Sequence, residues 1–268
     1  MQGLMMDAPL LIKNIAQHAE GQHGKREIVS ITAENNYHKY TYSECLSRAR
    51  RISNLLDSLN VSDGAAIGTL AWNDYRHLEL YYGVSCAGKV LHTINPRLFE
   101  EQLIYIVNHA KDEVLFFDSM FAGLVEKIAP KCPSVRTFVE LTEKDSPSDV
   151  KINNLAAYEV LIGDNSENYD WPNFEETRAS SLCYTSGTTG NPKGVLYSHR
   201  STVLHTYAVC LPDSACLSAL DSILAVVPMF HVNAWGYPYA GLMVGAKLVF
   251  PGPKLGDPET LVNLINNE

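Results

Sequence analysis

The sequence predicts an α/β fold with two sheet-based subdomains in which most strands are parallel. Strand-like and helix-like segments alternate from Ala65 to Leu141, and a second βα series begins at Ile223. Between these regions, a buried-looking strand from Ala179 to Tyr184 leads into a glycine-rich loop. Such alternation is typical of parallel strands joined by helical crossovers. The chain has 268 residues, 46% of them hydrophobic, which is enough for a large core.

The N-terminal region is predicted to form a helix, a hairpin and a second helix. Apolar residues at helical spacing indicate the first helix over Pro9–Glu20. Two strand-like segments, Glu27–Thr32 and Tyr37–Tyr42, flank turn-prone residues and indicate the hairpin. Thr41 and Glu44 then have the spacing of a capping box, which predicts the start of the second helix.

The central region supplies most of the predicted parallel strands and their crossover helices. The strands are expected at Ala65–Trp72, Lys89–Thr93, Val114–Asp118 and Thr137–Leu141, with helices at Asp74–Ala87, Glu100–Ala110 and a segment ending near Ala129. This order gives one helix between each pair of successive strands.

The two subdomains are expected to meet near residues 142–170. Residues Thr142–Val150 are polar and charged and indicate a loop, and a short helix is predicted near Leu155–Leu161. We therefore place the subdomains at roughly 1–160 and 161–268. In the second subdomain, a helix is predicted over His199–Cys210, after the glycine-rich loop.

Composition limits the classes of partner. The net charge of −9 and the pI near 5.5 argue against nucleic acid or an anionic membrane as a partner. The six cysteines form no C-x-x-C pair, which favours free thiols in a reducing compartment. Every apolar stretch is interrupted well before 18 residues. We expect a cytoplasmic protein without an integral membrane segment.

The segment from Leu182 to Arg200 carries the most unusual local chemistry. From Thr185 to Gly194 it combines three glycines, four hydroxyl residues and one lysine: Gly187, Gly190, Gly194, Thr185, Ser186, Thr188, Thr189 and Lys193. Successive backbone N–H groups in a glycine-rich turn bind anions, and a lysine adds a positive charge that suits phosphate. The pattern predicts a polyphosphate cradle. We expect Leu182–Lys193 to be exposed and mobile, since it buries little apolar surface.

Two common phosphate loops do not fit this spacing. A Walker loop needs G-x-x-x-x-G-K-[ST], but Pro192 stands five residues after Gly187, and Gly194 follows the lysine instead of preceding it. The dinucleotide-binding pattern G-x-G-x-x-G is also absent from this segment.

The loop resembles the signature [YF]-T-S-G-[ST]-T-G-x-P-K-G-V of the adenylate-forming superfamily. That superfamily includes acyl-CoA synthetases, luciferases and the adenylation domains of peptide synthetases. The match, YTSGTTGNPKGV, runs from Tyr184 to Val195. The resemblance implies that the chain forms the N-terminal part of the large adenylate-forming domain.

A second segment, PMFHVNAW at Pro228–Trp235, indicates one branch of this superfamily. A histidine in an apolar setting is by itself more often a core residue than a catalyst. The segment, however, resembles the second signature of the fatty-acyl-CoA synthetase branch, which includes methylthiopropionate-activating ligases. The resemblance implies that Trp235 gates the acyl tunnel and that the backbone of His231 and Val232 lies by the nucleotide. A strand is expected to end at Pro228 and to deliver these residues to the edge of its sheet.

The implied reaction has two steps. A carboxylate attacks the α-phosphate of Mg-ATP and releases pyrophosphate, and CoA then displaces AMP from the acyl-adenylate. The acid is already ionised at neutral pH, so the first step needs no general base. By resemblance, Thr185 helps to hold Mg²⁺ and phosphate, Ser186–Gly190 cradle the β- and γ-phosphates, and Lys193 neutralises them. The resemblance also makes a homodimer of the full-length enzyme possible.

Several family features have no match in this sequence. These are the Tyr-Gly-x-Thr-Glu segment whose Glu binds Mg²⁺, an Asp for the ribose, and the C-terminal domain with its adenylation Lys. We therefore expect a fragment of an acyl-CoA synthetase that lacks the C-terminal part and the lid domain and is inactive by itself. Two alternatives stay open: a catalytically inactive nucleotide-binding or interaction module, and another adenylate-forming ligase.

Overall fold

Two β-sheets organise the chain, which a computed structural model describes at residues 1, 3, 5–185 and 191–268. The strands are β1 (Glu27–Ile31), β2 (Tyr37–Thr41), β3 (Ala66–Leu70), β4 (Val90–Thr93), β5 (Val114–Asp118), β6 (Thr137–Leu141), β7 (Leu155–Ala157), β8 (Ala179–Thr185), β9 (Lys193–Ser198), β10 (Ser222–Leu224) and β11 (Lys247–Phe250). The helices are α1 (Ile12–His23), α2 (Tyr42–Ser58), α3 (Tyr75–Cys86), α4 (Glu100–Ala110), α5 (Ala122–Ile128), α6 (Tyr158–Gly163), α7 (His199–Cys210), α8 (Tyr237–Val244) and α9 (Pro258–Asn267).

Most of the strand pairs are parallel. The larger sheet has seven strands in the order β7-β6-β5-β3-β4-β8-β9, and only the pair β8–β9 is antiparallel. The smaller sheet has four strands in the order β10-β11-β1-β2, and only β1–β2 is antiparallel. The predicted α/β class with mainly parallel strands is confirmed.

The sheets draw strands from both sides of residue 160. The N-terminal hairpin β1–β2 joins the smaller sheet through β11, while β8 and β9 extend the larger sheet beside β4. Neither sheet therefore coincides with one of the segments 1–160 and 161–268. How the chain divides into subdomains, as distinct from sheets, stays a prediction.

Local sequence signals explain how the central helices begin and pack. The predicted capping box is present at the start of α2, where the Thr41 backbone N–H donates to Glu44 Oε2 at 2.7 Å. The next helix, α3, is buried along its whole length and packs against α2. A Cβ on Gly83 would lie 2.7 Å from the backbone oxygen of Ala49, so the close approach of these two helices requires a glycine there.

The main local difference from the predictions lies at Leu155–Ala157. These residues form the short edge strand β7, and helix α6 begins only at Tyr158. A three-residue apolar segment has no clear period, which is why sequence pattern alone assigned it to the helix.

Candidate functional site

The two ends of the predicted phosphate loop are held together by backbone pairing. Strand β8 is inserted between β4 and β9, so Leu182, Cys183 and Tyr184 are buried. Thr185, the last residue of β8, pairs with Lys193, the first residue of β9, and its Oγ1 donates to the Lys193 carbonyl at 3.4 Å. Both side chains are exposed. This pairing brings the two ends of the predicted phosphate loop together at the carboxyl end of a buried strand.

Pro192 is buried, and the expectation that Leu182–Lys193 is exposed is also wrong for its first three residues. They belong to a strand with neighbours on both sides, whose inward side chains must be buried. The site residues Ser186, Gly187, Thr188, Thr189 and Gly190 lie outside the described residues.

The second predicted segment is a loop that begins earlier than expected. Strand β10 ends at Leu224 and not at Pro228, and Val226 is exposed. The carbonyls of Ala225 and Val227 accept hydrogen bonds from the Asn73 side chain, at 2.9 and 2.8 Å. The chain leaves the sheet because its backbone groups are satisfied by this side chain instead of by a neighbouring strand.

The residues that follow His231 form a left-handed turn. Val232, Asn233, Ala234 and Trp235 have φ values from 49° to 56°, and Gly236 follows at 77°. Such a conformation costs a non-glycine residue about 1–2 kcal/mol, and a β-branched valine is an unusual occupant. The turn leaves Val232 and Trp235 exposed, with 62% of Trp235 accessible, and buries Asn233 and Ala234.

The turn is hydrogen-bonded to β8, the strand that leads into the predicted phosphate loop. The Asn233 amide nitrogen donates to Ser181 Oγ at 2.9 Å, and its oxygen lies 3.4 Å from Cys183 Sγ and 3.4 Å from the Tyr81 hydroxyl. Tyr81 also donates to the Met229 carbonyl at 2.5 Å. The two predicted site segments, remote in sequence, are therefore neighbours in the fold.

A family model described as AMP-binding enzyme matches residues 15–268, nearly the whole chain. The chain belongs to the AMP-binding enzyme family. This agrees with the geometry, in which the second signature segment contacts Ser181 and Cys183 of β8, the strand that leads into the first.

Curated relatives in this family are similar along the whole chain. The medium-chain-fatty-acid–CoA ligase of Ectopseudomonas oleovorans is 50% identical over 268 residues, which are 100% of this chain and 49% of the relative. The 3-methylmercaptopropionyl-CoA ligase of Ruegeria lacuscaerulensis is 51% identical over 266 residues, covering 99% of this chain and 49% of the relative. The chain spans about half the length of the curated relatives it matches.

Solved structures of family members share the fold. A long-chain-fatty-acid–CoA ligase from Archaeoglobus fulgidus superposes with a TM-score of 0.83 at 20% identity, over 97% of this chain and 50% of that one. An anthranilate–CoA ligase in complex with anthranoyl-AMP superposes with a TM-score of 0.81 at 22% identity, over 97% and 48%. At this identity the likeness concerns the fold alone.

Burial sets the protonation state of several groups beside the AMP-binding signatures. It raises the pKa of the Cys183 thiol, which therefore stays protonated at neutral pH. It lowers the pKa of His77, on α3, to about 4, so this imidazole is neutral and hydrogen-bonds to Thr69 and to the Trp72 carbonyl. At neutral pH both groups form structural hydrogen bonds within the buried core.

The described residues offer Mg²⁺ a single predicted oxygen ligand. Thr185 Oγ1 is exposed, and its long bond to the Lys193 carbonyl leaves its lone pairs free, which fits an ion that prefers oxygen ligands and keeps several waters. No group of three or more His, Cys, Asp or Glu side chains in this part of the chain could hold a metal ion. Nor does any helix in the described ranges have the length and apolar character needed to cross a bilayer.

Sequence reasoning missed the polar residues that hold the site together. Asn73, Tyr81 and Asn233 are all buried and all bind segments far away in the sequence. Nothing in the local pattern around Asn73 indicates such a role. The one available signal for Asn233 was its position inside the signature PMFHVNAW, because asparagine tolerates left-handed backbone better than most residues.

Proposed function

We propose that this chain is part of an acyl-CoA synthetase that activates a fatty or related carboxylic acid. The carboxylate attacks the α-phosphorus of ATP, the bond to the pyrophosphate leaving group breaks, and an acyl-adenylate forms. The CoA thiol then attacks the acyl carbon and AMP leaves. The observation that carries this proposal is the pairing of Thr185 with Lys193, which brings the two ends of the sequence TSGTTGNPK together at the end of a buried strand.

The proposed roles of the site residues follow from their chemistry. Backbone N–H and hydroxyl groups of Ser186–Gly190 would bind the β- and γ-phosphates, and Lys193 would neutralise them. Because this charge matters most in the transition state, the loop would act by electrostatic stabilisation and positioning. Thr185 would supply one ligand to Mg²⁺, which when bound neutralises phosphate charge. The exposed indole of Trp235 would border the acyl path, beside the backbone of His231 and Val232.

The names of the relatives support a fatty acid or a small thioether acid as the substrate. One relative is named as a medium-chain-fatty-acid ligase and another as a 3-methylmercaptopropionyl-CoA ligase. We propose the same general class of acid here: a medium- or long-chain fatty acid or a similar carboxylic acid. We also propose a cytoplasmic location, in keeping with the free thiols. A homodimer of the full-length enzyme stays a prediction that analytical ultracentrifugation would test.

To test the proposal, we would fuse the chain at Glu268 to the second half of the Ectopseudomonas ligase and produce the chimera. We expect this chimera to catalyse ATP–pyrophosphate exchange that depends on added medium-chain acid, and the 268-residue chain alone to show none above background. A matched chimera with Lys193→Ala should lose most of the exchange. A folded chimera that binds Mg-ATP without acid-dependent exchange would contradict the proposal and favour the nucleotide-binding module.

A further inference from the structure

The left-handed turn from Val232 to Trp235 needs an external anchor. Four consecutive residues with side chains have φ values near +50°, a conformation that isolated L-residues avoid. Strained backbone of this kind persists only where surrounding groups determine it. The structure must therefore contain contacts that select the turn over an ordinary extended loop.

Asn233 makes the contacts that fit this requirement. Its side chain is buried, with 7% accessible, and has partners on two other elements. It donates to Ser181 Oγ at 2.9 Å, and its oxygen faces Cys183 Sγ and the Tyr81 hydroxyl, each at 3.4 Å. Ser181 and Cys183 are two residues apart in β8, so their side chains lie on the same face of the strand. One amide thus spans two successive side chains on one face of β8.

Two further hydrogen bonds hold the segment on either side of Asn233. Before the turn, the Tyr81 hydroxyl donates to the Met229 carbonyl at 2.5 Å. After it, His205 Nε2 lies 3.2 Å from the Trp235 carbonyl. Both hydrogen bonds are to backbone carbonyls and so constrain the ends of the segment. Within the described structure of the left-handed run, Asn233 is the residue whose side chain forms hydrogen bonds, whereas the side chains of Val232 and Trp235 are exposed.

We propose that Asn233 is a positioning residue that selects the left-handed turn and thereby sets where the exposed indole of Trp235 lies relative to β8. The effect of Asn233 on the position of Trp235 does not depend on the proposed function. A role of that position in selecting the acid rests on the proposed function. Asparagine has two properties that suit this role: it tolerates positive φ, and its amide has both a donor for Ser181 and an acceptor for Cys183.

Four substitutions separate these two properties. Asn233→Ala removes the amide and disfavours positive φ, while Asn233→Gly removes the amide but accepts positive φ readily. Asn233→Asp keeps the shape and the acceptor and loses the donor to Ser181. Ser181→Ala removes the acceptor of that same bond from the other side. Asn60→Ala is the matched control, because Asn60 also has a positive φ, of 51°, and lies exposed elsewhere.

The experiment is ¹⁹F NMR of the 268-residue chain labelled with 5-fluorotryptophan. The sequence contains three tryptophans, Trp72, Trp171 and Trp235, and Trp235→Phe assigns the resonance of interest. We expect Asn233→Ala to shift and broaden the Trp235 resonance while that of the buried Trp171 stays unchanged. Asn233→Gly should also move it, Asn233→Asp should move it less, and Asn60→Ala should leave it in place.

Two results would overturn the proposal. One is a folded Asn233→Ala chain, with an unchanged Trp171 resonance, in which the Trp235 resonance matches that of the parent. The other is an equal shift in Asn60→Ala. If Asn233→Ala fails to fold, Ser181→Ala and Asn233→Asp decide the question, and a Trp235 resonance unchanged in both would reject it. None of these measurements needs a nucleotide or turnover. The NMR result could therefore be interpreted even if the proposed enzymatic function were wrong.

Discussion

The side chain of Asn73 holds the backbone of Met229 in place across 156 positions of sequence. Its Oδ1 accepts a 2.7 Å hydrogen bond from the Met229 N–H, and the Asn73 carbonyl accepts a second bond from Gly252 at 2.9 Å. The same side chain donates to the carbonyls of Ala225 and Val227. Asn73 follows β3 of the larger sheet, whereas Ala225–Met229 follows β10 of the smaller one. A single buried amide therefore joins the carboxyl ends of the two sheets.

Asn73→Ala is expected to destabilise the fold strongly. The substitution would leave three backbone groups near Ala225–Met229 without their partner, and each buried unpaired group costs about 1–3 kcal/mol. We expect a loss of about 3 kcal/mol or more in the free energy of unfolding, measured by urea titration. Asn173→Ala, at an exposed asparagine without a positive φ, should change it by less than about 0.5 kcal/mol. A loss for Asn73→Ala as small as that of the control would show that water replaces the amide.

Lys193→Ala should weaken binding of Mg-ATP to this chain. Among the described residues, Lys193 has no acidic partner within salt-bridge distance, so its ammonium is available to a phosphate. Loss of a charge-assisted hydrogen bond predicts about ten- to a hundredfold weaker binding by isothermal titration calorimetry. Lys25→Ala, which removes the same charge from the exposed connection between α1 and β1, is the control. Equal weakening in both variants would indicate a general charge effect and no specific contact.

The elements that the sequence predicted well are those determined by neighbouring residues. Helix α7 has the predicted bounds, His199–Cys210, and it is capped locally, since the Ser198 hydroxyl accepts from the Ser201 N–H. The capping box of α2 is a signal of the same kind. The ends of the phosphate loop were likewise predictable, because the glycine- and hydroxyl-rich segment and the strand before it are contiguous.

What could not be predicted depends on contacts between distant residues. Ile28 pairs with Leu248, and no local pattern shows that the N-terminal hairpin completes a sheet begun near the other end of the sequence. The early end of β10 has a similar cause, since Asn73 takes up the backbone groups that would have extended the strand. The sequence could not show the role of Asn233, because Ser181 and Tyr81 are far from it in the chain and become its neighbours only in the fold.

Gly236→Ala should strain the exit of the left-handed turn. Gly236 has a φ of 77°, and an added Cβ would lie 2.9 Å from Cδ2 of His205. Positive φ alone costs about 1–2 kcal/mol for alanine, and the contact adds to it. We expect a loss of about 2 kcal/mol or more in the free energy of unfolding. In the double variant with His205→Ala the loss should be smaller than the sum of the single losses, because the contact is gone. Strict additivity would show that His205 moves aside at no cost.

Asp74 should make stability fall as the pH rises. Burial raises the pKa of this carboxyl to about 6, although Arg76 opposes the shift, and burial with the nearby Asp74 charge raises the pKa of Asp118 as well. The folded chain thus holds the Asp74 proton more tightly than the unfolded chain. This contribution is full below the ordinary pKa of 3.8 and is lost as the pH rises through about 6.

Asp74→Asn tests this linkage while keeping the cap of α3. The Asp74 Oδ1 accepts from the His77 N–H at 3.1 Å, and an asparagine oxygen can accept the same bond. Relative to Asp74→Asn, the parent chain should lose free energy of unfolding between pH 4 and pH 6, with a slope of at most about 1.4 kcal/mol per pH unit. Urea titrations at several pH values measure this difference, and the exposed Asp149→Asn is the control. A difference that stayed constant or grew with pH would mean that Arg76 keeps Asp74 ionised in the folded chain, so that the pKa of this carboxyl is not raised by burial.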